Sequence, residues 1–177
     1  MMAEARSSRV RSWEACGSEL YSGMWSRVGN GCCEPTLSCV TPKRRLQAVR
    51  RAADILKVDL ITVPYRHEAW RELVRDRERD AERGARCQLC YRERLQAAYD
   101  FAKRRGFRYF STSLLVSPYK DGEAIRKICR ELAAEGGPVF LNQDFQADNG
   151  FRASLDWARE RGLYLQRYCG CEFSFRK

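Results

Sequence analysis

Apolar residues recur at helical spacing from Lys43 onward. Leu46, Val49, Ala53 and Leu56 are spaced three, four and three apart, which puts them on one helix face. Residues 58–63 (VDLITV) are short and β-rich, predicting a strand closed by Pro64. The stretch 68–82 is highly charged, with Trp70, Leu73 and Val74 as its only apolar anchors, the pattern of a surface helix. A further helix over about 88–105 presents Tyr91, Leu95, Ala98 and Ala102 as a buried stripe, with Gly106 as its C-terminal cap. Residues 107–113 (FRYFSTS) read as the next strand. Asp121 caps a helix with Ile125, Ile128 and Leu132 on its inner face, and Gly136-Gly137-Pro138 breaks it. Residues 139–141 form a short strand. Asp148 or Asn149 caps a last helix carrying Phe151, Leu155 and Ala158, which Gly162 ends.

Strands alternating with helices predict an α/β fold, with a mostly parallel sheet covered on both faces. Ligands in such folds sit beyond the carboxyl ends of the strands, where Ser111-Thr112-Ser113 and the segment after them fall. Residues 1–42 show no sustained period of either kind and form an atypical N-terminal segment ahead of a domain over 43–177. There is no internal repeat.

Composition narrows the partners. The chain has 177 residues, 33 basic against 23 acidic, and a net charge of +10. That excess favours a polyanion, because each Lys or Arg placed on a phosphate releases condensed counterions. Lys43, Arg44, Arg45, Arg50 and Arg51 form one basic group. Arg71, Arg75, Arg79, Arg83 and Arg86 form another, of which the first three recur every four residues and predict a ridge on one helix face. A solvated face balanced by Glu72, Asp76, Glu78 and Asp80 is the plainer reading for any single arginine. No apolar run approaches a membrane span, and the first thirty residues hold no compact apolar stretch of a secretory signal. The expected location is the cytoplasm, with no membrane partner.

Nine cysteines are many for a chain without an export signal, and clustered thiols then point to metal or redox chemistry. Cys87 and Cys90 form a CxxC at a helix start, where the helix N-terminus favours thiolates. Metal ligation, a thioredoxin-type dithiol and unrelated buried thiols all fit that spacing. Cys169-Gly170-Cys171 is a second close pair, able to ligate a metal or to form a reversible disulfide. Four soft ligands suit zinc or an iron–sulfur cluster. Cys32-Cys33 is a third pair. Cys16, Cys39 and Cys129 stand singly, and Cys129 borders the apolar face of its helix as a core residue.

Six stretches together resemble the QueH-type epoxyqueuosine reductases: RRLQAVRRAADIL, YRHEAW, CQLCYRERL, FSTSLLVSPYKD, LNQDFQADNGFRAS and LYLQRYCGCEFS. The last four are specific to that family and stand in its usual order. The resemblance implies a three-layer α/β sandwich of nucleotide-binding (HUP-like) type without a phosphate loop. It implies reduction of epoxyqueuosine to queuosine at the wobble position of transfer RNA, the last step of queuosine biosynthesis. It also implies a [4Fe–4S] cluster with an adjacent iron or other metal ion, an external electron donor and the anticodon stem-loop as partner.

By the same resemblance, Cys87 and Cys90 match the family's CxxC ligands. Cys169 and Cys171 match its CGC, as ligands or as a redox-active pair that closes a disulfide bond. Ser117, Tyr119, Lys120 and Asp121 match a segment lining the substrate pocket. There Lys120 can bind a phosphate, and Asp121 is either a site residue or only a helix cap. Tyr119 or Phe145 can stack on a splayed base. Cys32-Cys33-Glu34-Pro35 resembles the family's CC-x-P, which would add Cys32 and Cys33 to the cluster and metal ligands. The match is imperfect. Residues 26–31 (SRVGNG) are not the apolar strand that precedes the family motif, and only ten residues separate Cys33 from Arg44. The expectation is a chain that lacks its first βαβ portion or whose N-terminus is not the native one. Two other readings stay open: a zinc-stabilised RNA-binding module that is not an enzyme, and an inactive truncated family member.

Overall fold

The computed structural model describes residues 37–62 and 67–174, with backbone alone for 37–42. Helix α1 (Leu37–Leu56) follows the predicted stripe in part. Val49 and Ala53 are buried, whereas Leu56 is 57% exposed. It sits at the frayed end, where Lys57 turns left-handed (φ 56°) and the Val58 amide closes on the Ala53 carbonyl at 3.1 Å. The strand expected at 58–63 is not formed over the described residues 58–62. A strand needs a ladder partner, and both described strands pair with each other instead.

Helix α2 (His67–Leu73) is the second departure, since the charged helix expected over 68–82 stops at Leu73. Trp70 and Val74 are buried, but 75–83 offer no apolar side chain larger than alanine to hold a helix against the core. The Arg77 and Glu78 carbonyls accept from Arg86 rather than from a helical ladder. Asp76 and Arg83 take positive φ. Arg75 and Arg79 therefore do not continue Arg71 as a ridge on one helix.

Helix α3 (Ala85–Arg104) buries Arg86, Cys87, Tyr91, Leu95, Tyr99 and Ala102 along one side. It ends as the sequence predicts. Gly106 is left-handed (φ 70°), its amide bonds Lys103 O, and the Phe107 amide bonds Ala102 O. Phe101 and Phe107 stack across that turn with ring centroids 6.3 Å apart.

Strand β1 (Tyr109–Phe110) pairs in parallel with β2 (Val139–Phe140), Tyr109 opposite Val139 and Phe110 opposite Phe140. Both strands are shorter than predicted. A parallel pair needs a crossover, and helix α4 (Gly122–Ala134) supplies it. The described residues thus form an α/β fold with a small parallel sheet and five helices. The core lies between α3, α4 and the strands: Tyr99, Phe110, Leu95, Leu115, Ile125, Leu132 and Cys129 are all under 2% exposed. Tyr99 meets Phe110 edge-on at 5.5 Å and donates to Gly136 O at 3.0 Å.

Helix α5 (Gly150–Glu160) follows β2, with Phe151, Leu155 and Ala158 half-buried. Asn149 occupies its N-cap position, as predicted, but makes no side-chain cap hydrogen bond. Only glycine fits at 150, where a Cβ would lie 2.2 Å from the Phe145 carbonyl oxygen. No helix among the described residues is long and apolar enough to cross a membrane.

Candidate functional site

Beyond the carboxyl end of β1 the chain has little freedom. Ser111 Oγ donates to Leu141 O, and Thr112 Oγ1 accepts from the Leu114 amide, starting a 3-10 turn over Ser113–Val116. Both hydroxyls are therefore structural. The following segment 117–121 is pinned from outside by Arg83, which donates to Pro118 O at 2.7 Å and Tyr119 O at 3.2 Å. Ser117 Oγ accepts from the Tyr119 amide at 3.3 Å, which tightens the same turn.

This turn places Lys120. Its Nζ lies 2.9 Å from Cys169 Sγ and 3.1 Å from Glu82 Oε1, with the side chain only 12% exposed. Burial by itself would lower the ammonium's pKa. The Cys169 and Glu82 contacts outweigh it and leave Lys120 above its usual value of 10.5. The ammonium is thus fully charged at neutral pH. Two protein groups, Glu82 and Cys169, hold the ammonium in this position.

Asp121 next to it is a helix cap: Oδ1 accepts from the Ala124 amide at 3.0 Å. Its other oxygen accepts from Gln88 Nε2 at 3.2 Å, inside the CxxC. The Asp121 amide in turn meets Tyr91 Oη at 3.4 Å. One residue thereby ties α4 to the first turns of α3. Tyr119 is 64% exposed, and its ring meets Phe151 edge-to-face at 5.9 Å. Phe145 packs instead against the core cluster.

One cysteine pair lies in the first turns of α3 and the other near the C-terminal end of the described residues, and Cys87 is near enough to Cys169 to feel its charge. Cys87, Cys90, Cys169 and Cys171 are all free thiols. The charge of Cys87 is felt with those of Cys169 and Cys90, and Cys171 with those of the same two. Burial pushes the Cys87 thiol up, against a 3.3 Å hydrogen bond from the Arg83 amide and the nearby positive charge of Arg86. Burial likewise raises Cys171, against the Phe173 amide and again Arg86. Among the described residues no three His, Cys, Asp or Glu groups are arranged to hold an ion. Cys32 and Cys33, the third expected pair, lie outside the described residues. Cys129 is fully buried, as expected of a core residue.

Gly170 sits between the second pair at φ 92°. The backbone angle favours glycine; a Cβ there would also come within 2.6 Å of Arg45 Nη1 and 3.1 Å of Gln166 Nε2, side-chain ends that would have to move. The segment after Cys171 is clamped by aromatic stacking. Phe173 packs on Trp70 (5.8 Å), Trp70 on His67 (5.8 Å), and the Arg86 guanidinium lies 5.3 Å from the Phe173 ring. Arg71 reaches Glu172 at 3.2 Å.

The second basic group is accordingly dispersed. Arg86 is 5% exposed, Arg71 pairs with Glu172, Arg75 pairs with Glu72, and Arg83 grips a turn. On α1, Lys43, Arg44, Arg50 and Arg51 are exposed, as a phosphate contact requires. Sequence reasoning missed Glu82, the internal use of Arg83, and the burial of Arg86. No local pattern separates a buried arginine from its exposed neighbours in a run this charged.

A family model described as epoxyqueuosine reductase QueH matches residues 39–177. The chain belongs to that family. The matched span contains Cys87, Cys90, Lys120, Cys169 and Cys171 and begins after Cys33. Among curated relatives, the epoxyqueuosine reductase QueH of Streptococcus pyogenes serotype M1 is 31% identical over 117 residues, 66% of this chain and 46% of that protein. The QueH protein of Thermotoga maritima is 30% identical over 135 residues, covering 75% of this chain and 70% of its own. That of Helicobacter pylori is 32% identical over 140 residues, 75% of this chain and 37% of its own. The chain thus spans under half the length of two of these three QueH relatives.

Proposed function

We propose that this chain reduces epoxyqueuosine to queuosine in transfer RNA, with Cys87, Cys90, Cys169 and Cys171 as the cofactor-bearing thiols. The observation that supports this is Lys120, whose ammonium lies on Cys169 Sγ, with the Cys87 thiol close enough to feel Cys169 and Cys90. In this reading Cys32 and Cys33 belong to the same ligand set. The donor chemistry fits: soft thiols suit an iron–sulfur cluster, and the buried positive charges of Lys120 and Arg86 suit an anionic thiolate set. A [4Fe–4S] cluster with a neighbouring metal ion would supply electrons singly and a Lewis acid for the epoxide oxygen.

Overall, both epoxide C–O bonds break, the oxygen leaves as water, and an alkene remains. The balance requires two electrons from an external donor and two protons. Lys120 Nζ holds its proton through neutral pH, so it serves as a fixed positive charge for the oxygen as the C–O bonds break, and the two protons come from water. Glu82 keeps Nζ in place, and Arg83 fixes the backbone that carries it. Tyr119 offers an exposed ring next to Lys120 for a base lifted from the anticodon loop. Exposed Lys43, Arg44, Arg50 and Arg51 meet the phosphates. The sheet region is taken as part of a three-layer, HUP-like sandwich over 43–177, acting in the cytoplasm.

The test uses the full chain, reconstituted anaerobically with iron and sulfide and given a strong reductant. Nucleoside analysis of epoxyqueuosine-containing transfer RNA should then show queuosine. Lys120→Met should lower the rate about 100-fold or more, the usual scale of a lost electrostatic stabiliser, while Lys120→Arg, which keeps the charge, retains part of it. Brown protein with absorbance near ~400 nm and unchanged epoxyqueuosine would overturn the reading. Colourless protein carrying zinc at the same thiols would replace it with the binding module.

A further inference from the structure

The end of α3 away from the CxxC carries a charge that the scheme above does not use. Residues 103–108 read KRRGFR, and Lys103, Arg104, Arg105 and Arg108 are all exposed. They run from the last turn of α3 to the residue before β1, so they lie at the amino end of that strand. The 117–121 turn lies beyond its other end. Along α3, Cys87 and Arg104 are about 25 Å apart by helical rise.

Many exposed arginines of the described surface have a carboxylate at hand. Arg71 meets Glu172, Arg75 meets Glu72, Arg92 meets Glu131, and Arg159 meets Asp156. Among the described residues, none of the four cations at 103–108 makes an ion pair. Three of them lie over aromatic rings instead. Lys103 Nζ is 5.6 Å from the Tyr99 ring centroid, Arg105 Cζ is 5.9 Å from that of Phe101, and Arg108 Cζ is 5.1 Å from that of Tyr109. A ring face supports a cation without neutralising it. The neighbouring 136–139 turn (GGPV) is uncharged, and a Cβ at Gly137 would lie 3.4 Å from Lys103 Cδ. The C-terminal end of a helix attracts cations, but its dipole is worth only about half a charge, and Arg108 stands beyond the helix.

We propose that Lys103, Arg104, Arg105 and Arg108 form a second RNA contact, holding phosphates of the transfer RNA outside its anticodon stem-loop. This rests on reading transfer RNA as the substrate, but not on the reduction. Four unpaired cations within six residues fit a repeating phosphate backbone. Three are arginines, whose planar fork matches two phosphate oxygens. Helix α1 sends Arg45 to the Gly170 turn, so its exposed cations meet the RNA near the site. The 103–108 group sits at the far end of α3 and needs a longer nucleic acid to be reached from there. An anionic membrane fits less well, because the apolar stripe of α3 is buried in the core and leaves no apolar helix face to insert.

The experiment measures binding of the full chain to a full-length transfer RNA transcript and to its excised anticodon stem-loop, by fluorescence anisotropy over a range of salt. Arg105→Gln with Arg108→Gln should bind the full transfer RNA at least about fivefold more weakly, with a salt slope smaller by about 1.5. Binding of the stem-loop should stay within about twofold of the wild type. Arg105→Lys with Arg108→Lys keeps the charge and should retain most of the affinity, which separates lost contacts from a damaged fold. Arg92→Gln with Arg159→Gln removes the same charge from acid-paired positions and should change little. Unchanged binding of the full transfer RNA, equal loss on the stem-loop, or equal loss in the Arg92 and Arg159 variant would each overturn the proposal. So would dependence on Arg105 and Arg108 seen only with phosphatidylserine vesicles. Wild-type binding that depends on this group, in a chain that leaves epoxyqueuosine unchanged, upholds the contact and removes the reaction.

Discussion

At the residue scale, the same chemical group has opposite roles in different places. Cys129 and Cys169 are both thiols within this fold. Cys169 has a lysine on its sulfur, whereas Cys129 is packed among apolar side chains with its thiol pushed up to about 12 from 9.0. Burial alone causes that rise, because a thiolate there would lose its water. The consequence is a pH-dependent stability. Below pH 9 the thiol is neutral in both folded and unfolded chains, and its contribution is fully present. Above 9 the unfolded chain ionises first, so stability falls by about 1.4 kcal/mol per pH unit until the folded value near 12 is reached. Cys129→Val fills the same space without the ionisable group. Denaturant unfolding across alkaline pH should show a shallower loss in the variant than in the wild type; identical slopes would mean that Cys129 is not the buried acid. The spacing of Ile125, Ile128 and Leu132 made Cys129's core position legible beforehand, whereas Lys120's partner was not, since 49 residues separate it from Cys169.

At the element scale, local rules held where local forces dominate. Gly106 and Gly162 end α3 and α5 as predicted, each with its amide closing on the last turn. Asp121 caps α4 as predicted, and the same carboxylate bonds Gln88 between the two cysteines of the CxxC. Asp121→Ala should therefore cost about 1 kcal/mol in urea unfolding, with Asp121→Asn recovering most of it because an amide oxygen also caps. Full stability in Asp121→Ala would show the cap to be idle. The local rules failed at 58–62 and 74–83. A β-rich stretch becomes a strand only if another strand pairs with it, and a charged stretch stays helical only if one face is buried. Neither condition is written in the stretch itself.

At the scale of the whole molecule, the candidate site is held by the C-terminal segment folding back over α2 and α3. Trp70 is the hinge of that contact, 9% exposed and stacked between His67 and Phe173. Trp70→Ala should raise amide exchange selectively at 169–174, leaving the α3–α4 core protected, because the stack contacts the former and not the latter. Uniform loss of protection would show instead that Trp70 supports the whole core. The sequence by itself determined the α/β class, the caps, the core faces of α3 and α4, and the six stretches that carry the family. Those depend on spacing and on residue chemistry within a few turns. Only the tertiary structure decided that Lys120 meets Cys169, that Arg86 is buried while Arg71 and Arg75 are not, and that Glu82 and Arg83 serve the same turn. The four cysteines are two pairs in the sequence. They become one candidate site because packing across α3, the 117–121 turn and the C-terminal segment brings distant residues together, and no local pattern encodes that approach.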